Sequence, residues 1–213
     1  MTEQKNISEK IGKLFKKYGF RSITMDEVAS ALGMSKKTLY QIVPDKSRLV
    51  ELVLNDEYYT YESKLNSLQT QYKDAILGFI RLNELLYEFL LNYSPVTIYD
   101  LEKFEPAYYE KIKKQYVSIF LQAIRNNLFQ GKTQQLYRKE LDVEVISKLH
   151  LARIEQIPNS KIFTKEEFTS HEFVKEICLY HLHGVLNKNG MAQLEKYEHE
   201  IDNILKKKHN EAI

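Results

Sequence analysis

The 213-residue chain has no tryptophan and a single cysteine, Cys178. One thiol excludes an internal disulfide framework and a cysteine-rich zinc site. Only seven glycines and four prolines interrupt the chain. An all-β sandwich or barrel needs frequent turns, so this scarcity predicts long helices. No window approaches the roughly eighteen apolar residues of a membrane-spanning helix. The opening MTEQKNISEK has no apolar stretch behind its charges, so no secretory signal and a cytoplasmic protein are expected. H-E-x-x-H, paired E-x-x-H, a glycine-rich phosphate loop and a nucleophile elbow are all missing. No catalytic residue, metal ligand or cofactor is therefore assigned, and the chain is not expected to be an enzyme. Cys178 and His181 share a helix face, but two ligands without a third fit a packed interior or interface pair better than a metal site. His181 and His183 point to different faces.

What is present is a core-forming composition, 43% hydrophobic and 28% charged. Its charge is uneven. Residues 1–50 hold ten Lys/Arg and five Asp/Glu, net +5, whereas residues 51–213 are net −3. A basic head on a mildly acidic body suggests that one end meets a polyanion.

In the head, Ile7, Ile11, Leu14, Phe15 and Tyr18 recur on one helical face. Gly19 ends that helix, and Phe20 and Ile23 plug a small core. Thr24 to Glu27 reads as a capping box opening a helix with Met25, Val28, Ala29 and Leu32 on its inner stripe. Gly33 takes the tight turn. Ser35 caps a third helix with Leu39 and Ile42 inward, and Lys36, Lys37, Thr38 and Gln41 outward. Pro44-Asp45 closes it and caps a fourth, from near Lys46 to about Leu65. Two short helices meeting at a glycine are a helix-turn-helix candidate, although helical bundles also contain such hairpins.

The run GFRSITMDEVASALGMSKKTLYQIVPDKSRLVELV resembles the DNA-binding head of TetR-family transcriptional regulators. Gly19-Phe20, Thr24, Val28-Ala29, Gly33-Met34-Ser35, Thr38-Leu39-Tyr40, Lys46 and Leu49 fall in the family's order and spacing. The resemblance covers the first quarter of the chain. It implies a helix-turn-helix domain over 1–47 and a helical ligand-binding and dimerisation domain over 48–213. It also implies a homodimer on a palindromic double-stranded DNA operator, most often a repressor, released by a small molecule. Thr24, Tyr40 and Lys46 then look like phosphate clamps, which set register. Ser35, Lys36, Lys37, Thr38 and Gln41 open the helix that enters the major groove. There lysine can meet guanine or phosphate, glutamine adenine, and threonine a thymine methyl or phosphate. One departure is Gln41-Ile42-Val43, where the family commonly has an aromatic or histidine against a phosphate. The alternative reading, a helical small-molecule carrier or sensor without specific DNA binding, draws on that departure.

The body promises an all-α bundle, about nine to ten helices in the whole chain. Helices are expected over Ala75–Tyr93, Thr97–Phe104, Pro106 to a stop at Gly131, Val143–Ile157, Lys165–Asn189 and Met191–Lys207. In the last of these, Leu194, Tyr197, Ile201, Ile204 and Leu205 share one side. Thirteen of the fifteen tyrosines lie after residue 50. Tyr87, Tyr99, Phe104, Tyr116 and Phe120 fall on the helices that usually enclose the family's pocket, which suits an apolar or aromatic effector. A core with tyrosines at its rim explains them equally well. The stripe Phe173, Ile177, Tyr180, His181, Gly184, Val185 and Leu186 is the expected dimer surface, with intrachain core as the alternative.

Overall fold

The computed structural model describes residues 3–197 and residue 201. Among these residues it is all-helical. The helices are α1 (Glu3–Tyr18), α2 (Met25–Leu32), α3 (Lys36–Ile42), α4 (Lys46–Gln71), α5 (Ala75–Leu91), α6 (Pro95–Phe104), α7 (Pro106–Thr133), α8 (Val143–Gln156), α9 (Lys165–Phe168), α10 (His171–Val185) and α11 (Lys188–Glu195). A 3-10 turn at Ile157–Asn159 follows α8, and one isolated antiparallel bridge joins Tyr137 to Leu186. No helix among the described residues is long and apolar enough to cross a membrane. The expected positions Ile204 and Leu205 lie outside the described residues.

The chain divides into two compact units, Met1–Ser63 with Asn92–Tyr116, and Lys64–Leu91 with Val117–Ile213. The head therefore shares its unit with α6 and the start of α7. In this first unit Ile7, Ile11 and Phe15 of α1 bury against Val28, Ala29, Leu39, Val43, Leu49, Val50 and Val53. Tyr18, expected on the inner stripe of α1, is instead exposed beneath the Lys17 ammonium. Ile42 is only half-buried. Val43 takes the inward place, because the chain turns extended there and its N–H bonds back to Leu39.

In the second unit α5 is buried along most of its length, from Ala75 to Tyr87. Tyr137 is fully buried, and its hydroxyl reaches the Ala75 carbonyl at 3.2 Å and Asn127 Oδ1 at 3.0 Å. Its ring lies flat against Gly131, where a Cβ would stand 2.3 Å from ring carbon. Gly131 therefore seats a tyrosine rather than stopping a helix, and α7 continues to Thr133. The expected helix Lys165–Asn189 is broken by competing caps. Thr164 and Glu167 form a capping box for α9, and the Ser170 hydroxyl accepts the Phe173 N–H to start α10. At its far end Asn187 turns extended and accepts the N–H groups of Asn189 and Gly190, opening α11. The Arg138 N–H meanwhile donates to Val185, and that of Asn187 to Leu136.

The histidines of this unit are inside. His150 and His181 are buried, with rings 4.2 Å apart, and His181 stacks on Phe79 at 4.3 Å.

Two outcomes are expected. Gly131→Ala should overpack the Tyr137 seat and cost about 1–3 kcal/mol in urea unfolding; an unchanged midpoint would contradict the seat. Acid should also destabilise this unit. Burial, with the Arg153 cation beside it, pushes His181 down to about 3, and burial likewise holds His150 well below its ordinary range. The unfolded rings take protons near the ordinary 6.5, so the unfolded chain binds more protons below that pH. Stability is complete above about 6.5 and falls towards 3, by about 1.4 kcal/mol per pH unit for each ring. His181→Phe should roughly halve that acid slope in denaturation measured between those limits.

Candidate nucleic-acid interface

The head is built from caps that fix three short helices. Thr24 is extended (φ −85°, ψ 160°), and its hydroxyl accepts the Glu27 N–H at 3.2 Å. Glu27 Oε2 returns a bond to the Thr24 N–H at 2.6 Å, which keeps its carboxyl below the ordinary range. Gly33 sits in the left-handed region at φ 69°, its N–H bonding to Ser30, while that of Met34 bonds to Ala29. That conformation disfavours a side chain, and it turns the chain directly into α3. The Ser35 hydroxyl accepts the Thr38 N–H at 3.1 Å, and the two hydroxyls share a bond of 2.8 Å. Asp45 accepts the Arg48 N–H at 2.8 Å to open α4.

These caps leave the outer face of α3 free. Lys36, Lys37, Tyr40 and Gln41 are exposed, and Thr38 is half-buried. Lys37 pairs with no carboxylate among the described residues. Lys36 is held by Asp26 at 2.6 Å, an exposed pair that competing phosphates can open at little cost. The Thr24 hydroxyl already serves its cap. Lys46 is placed differently from a free clamp. Its ammonium bonds to the carbonyls of Ile23 and, at 3.2 Å, of Arg21. Partial burial and the nearby Arg21 cation lower its pKa. It therefore ties the start of α4 to the α1–α2 loop, with one N–H left over.

Sequence reading missed the residues that hold this loop. Asp100 of α6 is buried and accepts the Arg21 N–H at 3.0 Å. The Thr97 hydroxyl donates to Phe15 at 2.7 Å, and the Ser94 N–H to Lys16 at 3.3 Å. Arg21 lies over the Phe104 ring at 3.9 Å. Nothing in the local pattern of α6 signals these contacts, which span some eighty residues of chain.

The five aromatic residues expected in a pocket do not gather in one unit. Tyr99 and Phe104 are on the outer side of α6, under Lys103 and Arg21. Tyr116 is buried in the first unit, its ring 5.5 Å from that of Tyr58. Tyr87 and Phe120 are buried in the second unit, with Phe120 against Phe89. The α10 stripe also divides. His181, Val185 and Leu186 are buried within the protomer, whereas Tyr180 is 73% exposed, Gly184 is open, and Phe173 and Ile177 are half-buried. No group of three or more His, Cys, Asp or Glu among the described residues could hold a metal.

Comparison with known proteins agrees with this geometry. Residues 9–53 match the family model for bacterial regulatory proteins of the tetR family. The chain is 28% identical over 189 residues to the uncharacterized HTH-type transcriptional regulator YvaF of Bacillus subtilis (strain 168), covering 85% of this chain and 94% of the relative. A transcriptional regulator from Saccharomonospora viridis, solved in complex with choline, superposes with a TM-score of 0.69 at 16% identity, covering 87% of this chain and 98% of that one. A regulator from Cytophaga hutchinsonii ATCC 33406 gives 0.65 at 20% identity, covering 85% and 97%.

The loop anchor predicts a stability effect. Asp100→Ala leaves the Arg21 N–H without its acceptor and should cost about 1–3 kcal/mol in chemical unfolding. An unaltered unfolding curve would remove Asp100 from the support of the head.

Proposed function

We propose that this chain, whose residues 9–53 match the tetR family model, is a DNA-binding transcriptional regulator that binds a palindromic operator as a homodimer. A small molecule bound in the body releases it, so it acts as a repressor in the cytoplasm. The observation that carries this reading is the outer face of α3, where Lys37, Thr38, Tyr40 and Gln41 stand together beyond a capped, glycine-turned hairpin. A helix so placed enters the major groove with its first turns against base edges. At the departure Ile42-Val43, Val43 is buried and Ile42 half-buried, so the pair serves the packing of the head.

Lys37, Lys36 and Tyr40 serve as phosphate or base contacts, with Gln41 and Thr38 beside them. Ser35 and Thr24 act chiefly by presenting the N-termini of α3 and α2, whose free N–H groups favour phosphate. Lys46 acts through the loop it holds, and its third N–H remains for a phosphate.

For the dimer, the outward residues of α8 and α10 are the better surface. Arg153 Nη2 reaches the Ile177 carbonyl at 3.5 Å, so the two helices run side by side. Val145 and Leu149 of α8 are 50% and 61% exposed, and they continue the face begun by Phe173, Ile177, Tyr180 and Gly184. Exposed apolar side chains on two adjacent helices suit burial against a second copy by the same face. His181 and Val185 support that face from inside. That the Saccharomonospora regulator, similar in fold, was solved in complex with choline supports a small-molecule effector for this chain. Effector and operator then weaken each other by the same factor.

Two measurements test this. Lys37→Ala should reduce the salt slope of log K by about 0.9 per lost phosphate contact, or about 1.8 for the dimer. Gln41→Ala should keep the slope and cost about 1–3 kcal/mol per half-site on operator alone. Fluorescence anisotropy on operator and scrambled duplexes separates these, and equal loss on both duplexes for Gln41→Ala would exclude base reading. Leu149→Glu should convert the dimer to a folded monomer in sedimentation velocity at micromolar concentration. A persistent dimer would place the interface elsewhere.

A further inference from the structure

Within the second unit the faces of α5, α8 and α10 bring polar groups into an otherwise apolar core. Asn83 is fully buried, one turn from Phe79 and one from Tyr87 on α5. Both its amide atoms lack a hydrogen-bond partner among the described protein atoms. The same holds for the Tyr87 hydroxyl, His150 Nε2, Arg153 Nε and His181 Nε2. These are not scattered. Phe79 contacts both imidazoles, at ring separations of 5.1 Å to His150 and 4.3 Å to His181. Arg153 Nη2 is 3.1 Å from His150 Nδ1. Each unpaired buried polar group costs about 1–3 kcal/mol, so such a concentration needs an explanation.

Fixed donors outnumber fixed acceptors among the unpaired atoms. The Arg153 guanidinium has only donors, so His150 Nδ1 accepts from it. The neutral His150 ring therefore carries its hydrogen on Nε2, the unpaired atom. Arg153 Nε–H, His150 Nε2–H and the Asn83 NH2 group are donors, Asn83 Oδ1 is an acceptor, and the Tyr87 hydroxyl and His181 Nε2 can serve as either. Arg153 is half-buried, with its guanidinium 5.2 Å from the Tyr180 ring, and it forms no ion pair with a carboxylate among the described residues, so no acid balances its charge there. A donor-rich, cationic, partly aromatic core favours an acceptor-rich anion and disfavours a cation.

We propose that the core between α5, α8 and α10 is a binding site for small organic carboxylates, with Arg153 anchoring the carboxylate and Asn83, Tyr87 and His150 completing its hydrogen bonds. This gives a chemical class to the effector and so rests on the regulator reading above. It sets the chain apart from its choline-bound structural neighbour, because a quaternary ammonium would meet Arg153 with no carboxylate to balance it. The guanidinium and the planar carboxylate match as a charge-assisted, fork-shaped pair.

The test uses the full chain without DNA. Thermal unfolding is followed with millimolar butyrate, octanoate or benzoate, and with octanamide, benzamide and choline as matched controls. At least one carboxylate should raise the melting temperature in a concentration-dependent way, and the amides and choline should not. Arg153→Gln should weaken that carboxylate about 10- to 100-fold, and Arg153→Lys should restore part of the loss. Asn83→Leu serves as a folded control: it should raise the melting temperature of the ligand-free protein and reduce the carboxylate shift. No protection by any of the three carboxylates, equal protection by the amides, or undiminished affinity in Arg153→Gln would each overturn the site. Operator binding is read separately by gel shift. Carboxylate protection without operator release would keep the site and refute its role as the effector switch. Loss of the operator reading alone would leave the thermal result standing.

Discussion

The head depends on how the end of α1 and the loop after it are closed. A helix leaves its last carbonyls unpaired, and here a tight loop follows at Gly19. The carbonyl of Phe15 receives the Gly19 N–H and the Thr97 hydroxyl, and that of Lys16 receives the Ser94 N–H. Those of Arg21 and Ile23 receive the Lys46 ammonium. Asp100 accepts the Arg21 N–H, and its carboxylate packs so close that a Cβ at Gly19 would lie 2.7 Å from Oδ2. Once these bonds are made, the α1–α2 loop has one arrangement, and α2 and α3 leave it in a fixed direction. The exposed face of α3 is useful for recognition because this support is rigid. A phosphate-directed side chain on a loose helix would lose much of its binding energy to ordering.

The second unit solves the opposite problem. Its helices are apolar enough to collapse, and uniqueness comes from a few polar and close-packed contacts. Tyr137 is the clearest, with its ring on Gly131 and its hydroxyl shared between Ala75 and Asn127. Asn127 Nδ2 bonds in turn to the Ala75 carbonyl at 2.7 Å. The cluster around Asn83, His150 and Arg153 is of another kind, since apart from the Arg153–His150 bond several of its polar atoms find no partner among the described protein atoms. A structural network and a ligand-facing one are thereby distinguished in the same core.

The parts of this architecture readable from sequence were those governed by local rules. The Thr24–Glu27 capping box, the Gly33 turn, the Ser35 cap and the Asp45 start of α4 each involve residues at most five apart, and all appear as expected. Contacts over long separations were not readable. Lys46, at the start of a helix, resembled a phosphate clamp by position. Only the fold brings it to carbonyls 23 and 25 residues away. Gly131 reads locally as a helix stop, and only the distant partner Tyr137 shows it to be a seat for a ring. In α10 apolar residues occupy both sides, so periodicity alone did not separate the buried His181 and Val185 from the outward Phe173 and Tyr180. The polar core went unread for a related reason: Asn83 is one polar residue in a long apolar run, and its neighbours come from helices far along the chain.

The central claim is that two copies of this head read sequence in DNA through α3. The most direct test is selection of bound duplexes from a random pool by the full-length protein, followed by sequencing. The account predicts an inverted repeat whose half-site centres lie about one helical turn, or a small multiple of it, apart. Gln41→Ala should relax the enriched sequence at the base pair it reads in each half-site. Recovery of DNA without any enriched sequence would contradict the account, because it would leave the head with charge attraction alone.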